Sequence, residues 1–383
     1  MRLLINTAST LKGGGVQVAK SFIAECKKFP EHEYHIVLGI TLQKLIAPEE
    51  YPANFHFYTI GYRPATKVFT FKGTAVFFKN LEAAIQPDCV FTTSGPSYWR
   101  PQAPHLCGYN LPHYIYPDSP FFKMISLYKR IYFTLKGVII KYYVGRDADN
   151  YVVQTDDVNQ RLKKWFPQKN IYTVTNTYAA YFNEAKQGET FLILPPKQNS
   201  EYRFLMLSAN YRHKNFPIIN KICALIPANS PYTIRFVTTL PNEVYEQVFT
   251  AQAKKYIINT GYIRPEDCPA LYAECDFMFM PTLLECFSAT YAEAMVMRKP
   301  ILTSNLGFAH TVCKDAALYF DPLNAREILD KMHQLIGSPA LQQQLIDKGV
   351  DNLTQFSSAT QRAVQFLNIC NKLQQSHTLV LER

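Results

Sequence analysis

Residues 2–26 read RLLINTASTLKGGGVQVAKSFIAEC, and three kinds of segment follow one another within them. Arg2–Asn6 is a short apolar run suited to a buried strand. A polar loop follows and closes on Gly13, Gly14 and Gly15. From Val16 onward the apolar residues Ala19, Phe22, Ile23 and Cys26 recur at helical spacing. Strand, glycine loop and helix open an α/β domain. The alternation continues, with strands expected at 35–40, 55–60, 89–93, 105–109, 151–154 and 172–175. It weakens across 179–201, where Gly188, Pro195, Pro196 and polar residues read as an exposed connection. A second series then begins, with strands expected at 204–207, 233–238, 256–258, 277–280, 301–303 and 318–320. The expectation is two doubly wound, Rossmann-like domains facing each other across a cleft: 1–178, a linker at 179–201, and 202–360. A closing helix at 361–383 is placed to cross back to the first domain.

Composition limits what such a chain does. Apolar residues make up 48% and charged residues 18%, which excludes global disorder. Nine cysteines without a C-x-x-C pair or a His/Cys ligand spacing read as reduced thiols, neither a disulfide frame nor a zinc site. The net charge of +10 calls for an anionic partner: nucleotide phosphates, an acidic membrane surface or nucleic acid. No RNP-like, helix-turn-helix or zinc motif is present, so nucleic acid is not the expected partner. No signal peptide and no membrane span are expected, which points to the cytoplasm. Residues 121–144 come nearest to a span, but Lys123, Lys129, Arg130, Lys136 and Lys141 interrupt them. A basic, aromatic helix of this kind either rests on a membrane face or turns its lysines to solvent from a domain surface.

Four places carry candidate chemistry. Gly14 and Gly15 precede a helix, where backbone N–H groups and the helix dipole favour an anion, although a tight turn without a ligand has the same sequence. SANYRHK (208–214) follows a strand, so Arg212 and Lys214 stand at its carboxyl end; they suit a pyrophosphate, or make a solvated basic loop. PTLLECFSATYAEAMVMRK (281–299) places Glu285 before a helix and Glu293 two turns into it. Eight residues of helix separate them by roughly 12 Å, which fits two hooks for the hydroxyls of a polyhydroxylated ligand, with Thr282, Ser288 and Thr290 as further polar groups. Two acids at a helix start also suit the helix dipole alone. No third carboxylate or histidine stands with them, so no metal is expected. Finally, GYNLPHYIYPD (108–118) sets His113 in an aromatic loop after a strand, where it is either structural or a site residue.

Glu285 to Glu293 is an E-x7-E motif, and MPTLLECFSATYAEAMVMRKPILTSNLGF (280–308) resembles the glycosyltransferase family 4 signature of the GT-B fold. SANYRHKNF matches that family's phosphate-binding segment, NTGYIRPEDCPALYAECDFMFMP the segment bordering the base, and DAALYFDPLN its late turn. The resemblance is firm from 204 to 330 and thinner in the first half. It implies a retaining transferase that takes sugar from a UDP- or GDP-sugar without a cofactor or metal. Arg212 and Lys214 would hold the diphosphate, Glu285 the sugar and Glu293 the ribose. Gly14, Gly15 and Ser288 would lie beside the donor, Tyr262 beside the base and His113 near the sugar. It further implies a glycan or lipid-linked glycan acceptor, an O-antigen or capsule role and contact with the inner face of the cytoplasmic membrane. Arg298-Lys299 and 305–311 depart from the family pattern beside the donor pocket. An epimerase or phosphorylase on the same scaffold, or a basic nucleic-acid-binding protein, are the competing functions. The catalytic histidines, acids or cofactor lysine that the first two carry are not seen here.

Overall fold

A computed structural model of the chain describes residues 1–67, 73–184 and 192–381. Among them, thirteen strands form two sheets in which every pairing is parallel. The first sheet holds β1 (Arg2–Asn6), β2 (Glu33–Leu38), β3 (Phe55–Thr59), β4 (Cys89–Thr92), β5 (His105–Gly108), β6 (Asn150–Val153) and β7 (Asn170–Thr173), in the spatial order 3-2-1-4-5-6-7. The second holds β8 (Glu201–Met206), β9 (Thr233–Thr238), β10 (Ile257–Asn259), β11 (Phe277–Met280), β12 (Ile301–Ser304) and β13 (Ala317–Phe320), in the order 10-9-8-11-12-13. Each expected strand is present within a few residues. Part of the expected linker, 185–191, lies outside the described residues.

Parallel strands are buried on both faces and therefore read as continuous apolar runs. In β1, Leu3 and Ile5 enter one core while Leu4 enters another, with Val37, Val90, Phe78 and Trp99. In the second sheet, Phe204, Phe236, Phe277 and Phe279 pack with Ile328, Leu329 and Met332 from the following helix layer. Four helices matter below: α1 (Gly14–Glu25), α2 (Leu127–Asp147), α3 (Ala289–Val296) and α4 (Ala359–Leu381).

The chain divides into two compact units that interleave along the sequence. One comprises Met1–Pro117, Ile125–Asn176 and the residues from Ser357 on; the other comprises Asp118–Met124 and Thr177–Phe356. The closing helix α4 thus belongs to the first unit. It packs against α1 and β4 through a cluster of Phe22, Phe91 and Phe366, whose ring centroids lie 5.1–5.4 Å apart. Arg362 donates to Asn176 Oδ1 at 2.9 Å and to Ser21 Oγ at 3.0 Å, and Thr360 donates to Glu25 at 2.6 Å. Burial pulls the Arg362 guanidinium down to about 10. The far end of the chain is therefore structural to the first unit. Phe366→Ala opens a cavity in this cluster and should cost about 3–5 kcal/mol of stability. Urea denaturation measures it, and an unchanged midpoint would remove α4 from the core.

Candidate active site

Where strand order reverses in a doubly wound sheet, the two adjacent strands send their connections to opposite faces, and a crevice opens at their carboxyl ends. In the second unit those strands are β8 and β11, in register through Phe204 with Phe277 and Leu205 with Met278. The loop after β8 carries Arg212 and Lys214, and the loop after β11 carries Glu285. Topology thus brings together residues some seventy positions apart in sequence.

The two loops are stitched to each other. Leu283 N and Thr282 Oγ1 both donate to the His213 carbonyl, at 2.7 and 3.2 Å. Asn215 takes a left-handed conformation, φ 63°, and its side chain donates to the Pro322 carbonyl at 2.9 Å. This turn fixes the end of the 212–214 helical turn. Lys214 Nζ pairs with Glu285 Oε1, which also accepts from Thr282 Oγ1 at 3.0 Å. Both side chains are largely withdrawn from water, 12% and 11% exposed. Such a pair is held by mutual attraction against a desolvation cost, so removing either member strands the other charge. Arg212 reaches elsewhere: its Nη2 donates to the Met124 carbonyl at 2.8 Å. The Asp118–Met124 segment is tied to the same loops by Ser119 Oγ, which donates to the Leu283 carbonyl at 2.6 Å.

Glu293 sits in the second turn of α3. The helix begins at Ala289, so only half of the eight-residue interval from Glu285 is helical, and the 12 Å separation expected from helical rise does not apply. The Glu293 carboxyl is raised to about 7, the balance of burial, which pushes it up, against a hydrogen bond from the buried Tyr272 and the charge of Lys214, which pull it down. Lys214 thus acts on both glutamates. Tyr181 lies close enough to feel Glu293: burial and then the charge of Glu293 raise its phenol. Ser288 precedes α3 without capping it; its Oγ lies 2.5 Å from Thr290 Oγ1. Tyr262 follows Gly261, φ 72°, and its ring is exposed.

The remaining expected residues belong to the first unit. Its own reversal falls between β1 and β4. Gly14 and Gly15 begin α1 after Gly13, φ 63°. A Cβ on Gly14 would meet nothing within 4 Å, whereas one on Gly15 would meet Asn110 Nδ2 at 3.0 Å. Asn110 in turn donates to Ser94 Oγ at 2.9 Å, joining the loops after β5 and β4. His113 stacks on Phe133 of α2 with centroids 5.2 Å apart, and burial and the charge of Lys136 lower its pKa, which favours the neutral ring.

Tyr272, Tyr181, Ser119 and Asn110 carry no local signal in the sequence, because only the fold brings them to the predicted residues. Among the described residues one group has metal-like spacing, Glu33, His35 and His56, with donor atoms within 4.8 Å of one another. Glu33 already binds both rings, at 3.2 and 3.3 Å, and Arg2 at 3.1 Å. These strands lie at the β3 edge of the first sheet. An open depression on the first unit, lined in part by Lys79, Arg100, Arg146 and His377, contains none of the expected site residues.

Residues 194–351 match the family model described as Glycosyl transferases group 1. No curated protein matches the chain. Among solved structures, sucrose-phosphate synthase from Thermosynechococcus elongatus is similar at 12% identity and a TM-score of 0.70, over 97% of this chain and 99% of that one. Anabaena HepE in complex with UDP and glucose is similar at 12% identity and 0.67, over 97% and 100%. WaaG, a glycosyltransferase involved in lipopolysaccharide biosynthesis, is similar at 10% identity and 0.67, over 97% and 99%. Likenesses at these identities establish the architecture, two Rossmann-like domains of the GT-B kind.

The raised Glu293 carboxyl has a consequence for stability. It holds its proton more tightly folded than unfolded, so its contribution is full below about pH 4.5 and is lost as pH rises through about 7. Glu293→Gln abolishes that loss and should gain on the order of 2–3 kcal/mol over the parent between those limits. Melting both proteins at acid and at mildly alkaline pH tests it; a parallel pH dependence would place the carboxyl in water.

Proposed function

We propose that the chain, whose residues 194–351 match the group 1 glycosyltransferase model, moves a sugar, with retention, from a UDP- or GDP-sugar to a glycan or lipid-linked glycan acceptor. The observation that carries the reading is the pairing of Lys214 with Glu285 at the β8/β11 crevice, with Arg212 on the same loop and Glu293 within reach of the Lys214 charge. Two cations and two carboxylates meet there, the complement that a diphosphate flanked by two hydroxylated rings requires. HepE, of the same fold, has been crystallised with UDP-glucose, which supports a nucleotide-sugar donor. The lipopolysaccharide role of WaaG supports a cell-surface glycan such as O-antigen or capsule.

In this reading Arg212 and Lys214 hold the donor diphosphate, Glu285 accepts from the sugar hydroxyls and Glu293 from the ribose hydroxyls. Ser288 lies at the α3 start beside the donor, and Tyr262 lies along the base. Gly14 and Gly15 offer the backbone N–H groups of the α1 N-terminus, and His113 serves as a neutral hydrogen-bonding group for the sugar. The bond from the anomeric carbon to the diphosphate oxygen breaks, and the acceptor oxygen bonds to that carbon on the same face. The acceptor proton passes to the departing diphosphate, so no separate base is needed. Lys214, released from Glu285 by the incoming anion, and Arg212 stabilise the charge that develops on the leaving group. Because two side-chain cations serve the diphosphate, no metal is required.

Glu285→Gln preserves the shape but removes the charge that orients the sugar. It should lower kcat about 10²–10³-fold with an unchanged circular dichroism spectrum. Full transfer by this variant, or epimerised donor formed in the absence of acceptor, would overturn the assignment. Turnover should also survive EDTA; loss of activity restored by Mg²⁺ would refute the metal-free part of the reading.

A further inference from the structure

Helix α2 presents an outward surface unlike the rest of the molecule. Tyr128, Ile131, Leu135, Val138 and Tyr142 recur at helical spacing along one stripe and are 78%, 52%, 63%, 66% and 61% exposed. Leu127, Tyr132 and Ile139 widen the stripe and are also exposed. The opposite face holds the helix to its unit. Phe133 stacks on His113, a Cβ on Gly137 would touch the Tyr114 ring at 3.4 Å, and Ile140 and Val144 are buried. No helix among the described residues is long and apolar enough to cross a membrane.

Charge is arranged around the stripe. At about 100° per residue, Lys129 and Lys136 fall along one flank and Arg130 and Lys141 along the other, between the apolar stripe and the buried face. No Asp or Glu occurs in α2 before Asp147, which is buried and accepts from Tyr98 N at 2.7 Å. Long basic side chains on both sides of an apolar ridge can lay their stems on hydrocarbon and keep their ammonium groups among phosphates. A nucleic acid would match the charge but leave the Leu, Ile and Val side chains in water. A protein groove would match the ridge but gives no reason for cations on both flanks.

We propose that α2 docks the protein on an anionic phospholipid surface, with the Tyr128–Tyr142 ridge in the acyl boundary and the flanking lysines and arginine among the headgroups. The helix lies in the plane of the bilayer. This placement depends on no donor-site residue, so it stands or falls apart from the transfer reading. It also sets the first unit where a lipid-linked acceptor would be presented.

Sedimentation with vesicles of phosphatidylcholine, alone or mixed with phosphatidylglycerol, tests it without substrate. The parent should sediment with the anionic vesicles, bind the neutral ones far less, and release as salt is raised. Leu135→Glu with Val138→Glu should weaken binding about ten-fold or more while the melting temperature stays unchanged, because both side chains are exposed. Lys129→Glu with Lys136→Glu is an independent variant and should lose the preference for anionic vesicles. A parent that stays in the supernatant, or a ridge variant that binds like the parent, would overturn the proposal. So would a concentration-dependent dimer abolished by the ridge variant, since a second copy would then cover the face.

Discussion

The Lys214–Glu285 ion pair joins two loops that belong to adjacent parallel strands, and the second unit is organised around that junction. A parallel sheet covered on both faces has one place where its connections part, and every backbone N–H and C=O near that gap needs a partner from the loops above it. His213 meets this demand by accepting from both Thr282 and Leu283. The main chain is thereby tied, and the charged side chains are left to satisfy each other. A site built this way is preorganised: its cations are positioned by hydrogen bonds that do not involve a ligand.

Charge balance at the junction is deliberately incomplete. Lys214 faces Glu285 directly and lowers the cost of ionising Glu293, while Arg212 spends one donor on a carbonyl and not on a carboxylate. A dianionic ligand entering here would meet one cation already paired with a carboxylate and one held only by a carbonyl. The same arrangement leaves Glu293 close to its titration point near neutral pH, because burial and the lysine pull in opposite directions. Hydroxyls that donate to this carboxylate would favour its ionised form, which couples ligand occupancy to its protonation.

The chain visits its two units out of order. Asp118–Met124 leaves the first unit to supply Ser119 and the Met124 carbonyl to the second, and α4 returns from the second to complete the first around Phe366. Directly after the first excursion comes α2, with a face that nothing in the described structure covers. An apolar ridge of that size is costly in water, which is why it demands an occupant where single exposed leucines would not.

Much of this was legible in the sequence. The strands were readable because parallel strands are buried on both sides, so runs such as the Phe-Met-Phe-Met of β11 carry no alternation to confuse them. Arg212, Lys214 and Glu285 were readable as candidates because each follows a strand end, Glu293 because it stands eight residues after Glu285, and their order matched a familiar motif. Chain order and apolar runs thus determined the two sheets and the loops that bear charge. Only the tertiary structure decided that α3 starts at Ala289, that Lys214 meets Glu285, that Asp118–Met124 serves the second unit, and that the α2 ridge is left open. Those outcomes rest on hydrogen bonds and burial between residues far apart in the chain. Local pattern constrains the conformation of a segment, but not what is packed against it.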